Sequence, residues 1–212
     1  MNILKLQNQK FHRISQDLNT QGITTDDIDK ICHEFIIKNG AYPTCLGFNN
    51  YPKTICTSVN EVLCHGIPDQ RPLENGDYLN LDISLYLNGV HGDTSIMIQI
   101  GEKVHPEIQK LIKTTQQALY ESIKICQPGH GIGHLLHLPP VIYHCKKTQM
   151  ESPYVMEEGM VFTIEPIFTM QFQDCFIWED QFTVVSPFNP SAQWEHTVLV
   201  TDSGYEVLTQ RT

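Results

Sequence analysis

Four carboxylates in this 212-residue sequence lie where acids are usually out of place. Glu165 falls inside the apolar run Val161-Phe162-Thr163-Ile164-Glu165-Pro166-Ile167-Phe168, and Glu195 inside Ala192-Gln193-Trp194-Glu195-His196-Thr197-Val198-Leu199-Val200, both of which read as strands. Burying an ionised carboxylate without a partner is very costly. An arginine could supply the counter-charge, yet the whole chain holds only Arg13, Arg71 and Arg211. Metal ions are the better counter-charge, and the chemistry to expect is that of a carboxylate-rich metal site.

A turn brings Asp82 and Asp93 into the same set. Residues 80–87 and 90–98 are strand-like and are joined by Asn88-Gly89, a strong signal for a two-residue hairpin loop. Counting back from that loop, Leu87 faces Val90, Tyr86 faces His91 and Ser84 faces Asp93. Asp82 and Asp93 then point the same way as diagonal neighbours, with backbones about 7–8 Å apart. The other face carries Leu81, Ile83, Leu85, Leu87, Ile96 and Ile98 and supplies the buried side. Taken alone, the hairpin is read more simply with its Asp face in water; Glu165 and Glu195 shift the balance toward metal.

Two histidine motifs border on glycine, which lets backbone approach a ligand closely. They are Cys64-His65-Gly66-Ile67-Pro68 and His130-Gly131-Ile132-Gly133-His134-Leu135-Leu136-His137. Were 130–137 helical, His130, His134 and His137 would share a face and suggest a different, histidine-rich site. Gly131 and Gly133 argue against that helix. His12, His33, His105 and His144 read as packed or surface residues, and His91 and His196 as neighbours of the site.

The elements that must position these groups are legible in outline. A helix is expected over 25–39, capped by Thr24 or Thr25 and ended by Gly40, and another over 106–126 with Pro106 in its first turn. Residues 41–72 read as short strands joined by irregular loops, and 160–168, 182–186, 194–201 and 205–208 as further strands. The formal charge of −10, with no basic run longer than Lys146-Lys147, excludes nucleic acid as a direct ligand. No apolar run approaches the roughly 20 residues of a membrane helix. Seven scattered cysteines without a Cys-x-x-Cys pair read as reduced thiols.

The motifs Cys64-His65-Gly66-Ile67-Pro68-Asp69, Asn80-Leu81-Asp82, His91-Gly92-Asp93-Thr94-Ser95, His130-Gly131-Ile132-Gly133, Phe162-Thr163-Ile164-Glu165-Pro166 and Gln193-Trp194-Glu195-His196-Thr197 jointly resemble those of type I methionine aminopeptidases. The resemblance implies an α+β fold of the pita-bread (creatinase/aminopeptidase) kind: two pseudo-symmetric halves, a curved antiparallel sheet and outer helices. It treats 1–212 as a single catalytic domain with residues 1–20 as a variable N-terminal helix. It implies two divalent ions, Co, Mn, Fe or Zn, on Asp82, Asp93, His130, Glu165 and Glu195. His65, His137 and Glu165 would be catalytic, and Cys45, Phe48, Tyr51, Cys56 and Phe182 would join His65 and His137 in holding substrate. The implied activity is removal of initiator methionine from nascent chains whose second residue is small and uncharged. The protein would be a monomer meeting its substrates at the ribosome, with no direct contact to nucleic acid or membrane.

Against the family pattern, the second half is short by a helix and a strand between Pro128-Gly129 and His130, Phe182 stands where relatives carry Trp, and Leu136 replaces an aromatic residue. A non-catalytic module on the same fold, an inactive truncated isoform and a proline-specific peptidase are the alternatives. The expected compartment is the cytoplasm, or else the mitochondrion, because Lys5, Lys10 and Arg13 precede the first acid and Met156-Glu157-Glu158-Gly159-Met160 resembles the organellar branch.

Overall fold

The computed structural model describes residues 22–126 and 155–210. Helix α1 (Thr25–Lys38) starts where its chemistry requires: the Thr24 hydroxyl accepts the Asp27 N–H, and the Asp27 carboxylate binds the Thr24 N–H in return. Asn39 caps its end, and Gly40 follows at φ +73°. Helix α2 (Pro106–Lys124) begins with Pro106 behind a His105 cap and stops two residues before Cys126, short of the expected end.

The described residues form these strands in chain order: β1 (Tyr42–Pro43), β2 (Cys56–Val59), β3 (Val62–Cys64), β4 (Tyr78–Leu87), β5 (Val90–Gln99), β6 (Val161–Ile164), β7 (Ile167–Thr169), β8 (Phe176–Ile177), β9 (Val184–Val185), β10 (Ser191–Gln193), β11 (His196–Thr201) and β12 (Gly204–Val207). The β4–β5 hairpin has the register that its turn dictates, with Leu87 opposite Val90, Ser84 opposite Asp93 and Asp82 opposite Ser95. Asn88 and Gly89 both adopt positive φ, as the two-residue turn demands.

β2 pairs with the other edge of β4 and sets Cys56 beside Asp82. On the far side β5 meets the chain between β10 and β11 through a bridge from Ser95 to Glu195. Asp93 N–H donates to Thr197 Oγ1 at 3.1 Å, and that hydroxyl donates back to the Asp93 carbonyl at 2.6 Å. Antiparallel strands from both halves of the chain are thereby laid side by side.

The segments expected as continuous strands around the two glutamates are each broken. β6 pairs with β11 as far as Ile164 opposite His196, and β7 with β10 from Ile167 opposite Gln193. The register is the same on both sides of the gap, so Glu165 faces Glu195 across a parted ladder. Pro166, which has no N–H to give, stands in the break.

Leu79, Leu81, Ile83 and Leu85 of β4 and Ile96 and Ile98 of β5 form a buried cluster with Ile28, Cys32 and Ile36 of α1 and Leu111, Ile112, Leu119 and Ile123 of α2. The Trp194 indole N–H donates to the Ile112 carbonyl at 3.1 Å, tying α2 to the broken ladder. The opposite face of the hairpin is buried as well: Asn80, Ser84, Asp93 and Ser95 are all covered. The simple reading of a water-facing Asp side is thus overturned, because the second half of the chain packs over it. Among the described residues no helix is long and apolar enough to cross a membrane.

Candidate metal centre and adjoining pocket

One transverse row crosses the joined strands in the order Cys56, Asp82, Ser95, Glu195, Glu165. Asp93 stands two residues along β5 from Ser95, on the same face. Oxygens of Asp82, Asp93 and Glu195 lie within 4.8 Å of one another. Asp93 and Glu195 are buried to 6% and 3% exposure, where three like charges repel strongly. Burial, then the charge of Asp93, pushes the Asp82 carboxyl well above the usual carboxylate range. Burial, then Asp93 and Glu165, does the same to Glu195.

Whether cations fit here is decided by the unpartnered atoms. Asp82 Oδ1 and Asp93 Oδ1 are buried without a hydrogen-bond partner among the described residues, and no described arginine or lysine is paired with Asp82, Asp93 or Glu195. Hard carboxylate oxygens aimed at a common point suit a divalent ion.

Glu165 lies outside that tightest trio but within its field, since its charge acts on both Asp82 and Glu195. Its carboxylate is held from two sides, by Thr163 Oγ1 at 3.1 Å and by Gln193 Nε2 at 3.2 Å. The sequence expectations gave Thr163 and Gln193 no role. Their spacing of two from Glu165 and Glu195 on strand-like segments was the available signal, because it puts each pair on one face. Thr94 also escaped notice: its hydroxyl donates to the Glu195 carbonyl at 2.8 Å. His130 and His137, with His134, lie outside the described residues.

Beside the carboxylates, four of the five expected pocket residues come together. The thiols of Cys45 and Cys56 lie near enough to perturb each other, which lowers the Cys45 pKa and, with burial, raises that of Cys56. Tyr51 Oη donates to the carbonyls of Ile55 and Gly66 at 3.1 and 3.0 Å, and its ring meets that of Phe182 edge-on with centroids 5.1 Å apart. Phe48 is exposed on the short turn leading into Tyr51. His65 is also exposed and adopts a left-handed φ of +56°. Gly66 beside it touches β2 so closely that a Cβ would stand 2.2 Å from the Thr57 carbonyl oxygen.

The chain matches metallopeptidase family M24 over residues 4–129 and 128–202. It belongs to that family. The division of the match at 128–129 falls at Pro128-Gly129, where the sequence is short of its family pattern. A mitochondrial methionine aminopeptidase 1D of Dictyostelium discoideum is 45% identical over 220 positions, covering 89% of this chain and 54% of the relative. Those positions outnumber the 212 residues here, so the relative carries residues for which this chain has none. A chloroplastic/mitochondrial methionine aminopeptidase 1D of Arabidopsis thaliana is 41% identical over 89% of this chain and 61% of its own length. The chain thus spans little more than half of these two curated relatives. The crystal structure of methionine aminopeptidase from Rickettsia prowazekii superposes with a TM-score of 0.87 at 33% identity, covering 97% of this chain and 93% of that one. The M24 chain accordingly has the pita-bread fold; its membership of a metallopeptidase family implies divalent metal, and the structure holds a carboxylate cluster that could take one.

Proposed function

We propose that this chain is a methionyl aminopeptidase, removing initiator methionine from nascent proteins whose second residue is small and uncharged. The observation that carries this reading is the meeting of buried, partly unpartnered carboxylates from both halves of the chain beside a cluster of thiols and aromatic rings. Sulfur and aromatic surfaces suit a thioether side chain. The proposed ligands are Asp82, Asp93, His130, Glu165 and Glu195 for two ions, Co, Mn, Fe or Zn. Bound there, such ions supply Lewis-acid polarisation of the scissile carbonyl and activation of a water.

The remaining tasks fall to the chain itself. Glu165, oriented by Thr163 and Gln193, carries a proton from the attacking water toward the leaving amine. His137 steadies the developing oxyanion, and His65, held at the mouth by the close fit of Gly66, contacts the substrate. Cys45, Phe48, Tyr51, Cys56 and Phe182 receive the methionine side chain. The reading treats 1–212 as one catalytic domain with 1–20 as a variable helix, acting as a monomer on N-terminal Met peptides at the ribosome, without direct contact to nucleic acid or membrane. The organellar names of two relatives favour the mitochondrion over the cytoplasm.

The test is release of free methionine from Met-Gly-Met-Met by purified protein supplied with Mn or Co, beside a Glu165→Gln control. Metal-dependent release that the control abolishes supports the reading. A folded, metal-binding protein without turnover would identify a non-catalytic module instead.

A further inference from the structure

Beyond the pocket residues, the segment 170–190 forms a two-stranded ribbon whose inner strand, β9, is paired to β3. Met170 N–H donates to the Pro190 carbonyl, Gln171 and Asn189 exchange hydrogen bonds, Gln173 reaches the Pro187 carbonyl, Phe176 pairs with Val185, and Trp178 N–H closes the turn on the Thr183 carbonyl. The ribbon ought to be polar, because so much of it meets water. Instead it exposes Phe172 (103%), Phe176 (57%), Ile177 (65%), Trp178 (52%) and Phe188 (99%). Isolated exposed apolar residues need no explanation, but five large ones along one short ribbon mark a contact surface. Phe188 is held at a left-handed φ of +59°, which a bulky side chain rarely adopts, so its exposure comes at a conformational cost too.

Continuity and charge together identify the occupant. β8 is the outer strand of the sheet β3–β9–β8, paired on one side only among the described residues. The opposite strand, β3, runs into His65, and Phe182 at the ribbon's turn packs on Tyr51 of the pocket. The ribbon contains Asp174, Glu179 and Asp180, and no Lys or Arg occurs between Lys147 and Arg211. Such a surface repels phosphate backbones and attracts basic or neutral partners. An open strand edge with side-chain contacts on its faces is the way an extended peptide adds to a sheet.

We propose that this ribbon binds the substrate peptide downstream of the cleaved bond, as an added strand along β8, and selects basic and apolar residues there. The proposal rests on the aminopeptidase reading and supplies its longer-range substrate preference.

The test compares Met-Gly-Ser-Lys-Phe-Lys-Phe with Met-Gly-Ser-Glu-Ser-Glu-Ser and with the tripeptide Met-Gly-Ser, which has no downstream stretch. The Mn-loaded protein is assayed beside the triple variant Phe172→Ser, Phe176→Ser, Trp178→Ser, whose replaced side chains are all exposed. We expect kcat/KM for the basic, aromatic peptide to exceed that for the acidic one about ten-fold, and the triple variant to level the two while leaving the tripeptide unchanged. In a Glu165→Gln background, fluorescence anisotropy of the same heptapeptides labelled at the C-terminus should show the same preference in binding. Equal rates for both heptapeptides, or a preference that survives in the triple variant, would overturn the proposal. A dimer that dissociates on substitution would assign the ribbon to self-association and overturn it as well. If the tripeptide is not cleaved, the aminopeptidase reading fails by itself, and anisotropy still decides whether the ribbon selects peptides.

Discussion

The two oxygens of Glu165 are each held by a different neighbour, so the carboxylate can neither swing nor rotate freely. Replacing Gln193 by Ala should therefore lower kcat by about 10- to 100-fold with little change in KM, the usual effect of losing a group that orients a metal-site residue. Methionine release checks this, with circular dichroism confirming the fold. A second residue-scale prediction concerns Arg71 and Asp77, which form two hydrogen bonds at 2.8 and 3.1 Å. Burial pushes the Asp77 carboxyl up, but Arg71, Asn60 and the Glu74 N–H pull it down further, and the net shift is downward. A lowered folded pKa means that this stability is present above the ordinary Asp value of about 4 and is lost as pH falls through the folded value. Arg71→Ala should melt below the wild type at pH 7, by an equivalent of about 1 kcal/mol given the partial exposure of Arg71, and the two melting curves should converge in strong acid. The individual acids were legible in the sequence because four carboxylates stood in apolar or paired strands with almost no arginine to neutralise them. The clamp was not, because Gln193 reaches Glu165 across a strand pair whose register no local pattern announces.

At the scale of elements, the β4–β5 hairpin was legible down to individual partners, since Asn88-Gly89 permits one loop length and hence one register. The breaks at Glu165 and Glu195 were hidden: an apolar run has the same composition whether its ladder is continuous or parted, and only Pro166 hinted at the interruption. Which strand from the second half would cover the Asp face was equally hidden, because the Ser95 to Glu195 bridge joins segments 100 residues apart in the chain. The loop bearing His65 offers a direct test. A methyl group at position 66 would collide with the backbone of β2 rather than with a movable side chain. Gly66→Ala should destabilise the fold by about 1–3 kcal/mol, as overpacking does, and displace His65. Urea unfolding measures the first effect. A rise in KM for Met-Gly-Met-Met in the surviving folded fraction reports the second.

For the whole molecule, the carboxylate cluster draws on strands from both halves, so any cation bound there also bridges them. Saturating Mn should raise the melting temperature, by an equivalent of about 2.7 kcal/mol at a hundredfold excess over its dissociation constant, and a chelator should reverse the gain. In the double variant Asp82→Asn, Glu195→Gln, the metal-induced shift should vanish. The metal-free protein should in turn become more stable by about 1–3 kcal/mol, because two mutually repelling buried acids have been neutralised. A scanning calorimetry series with and without Mn separates these outcomes. The exposed ribbon also bears on how the molecule behaves at high concentration. Its outer strand β8 is only two residues long, with Asp174 and Glu179 close on either side. Copies meeting edge to edge would find few backbone groups to pair and like charges brought close together, the means by which sheet proteins avoid growing into fibrils. One short guest strand can be accommodated there, but an endless ladder cannot.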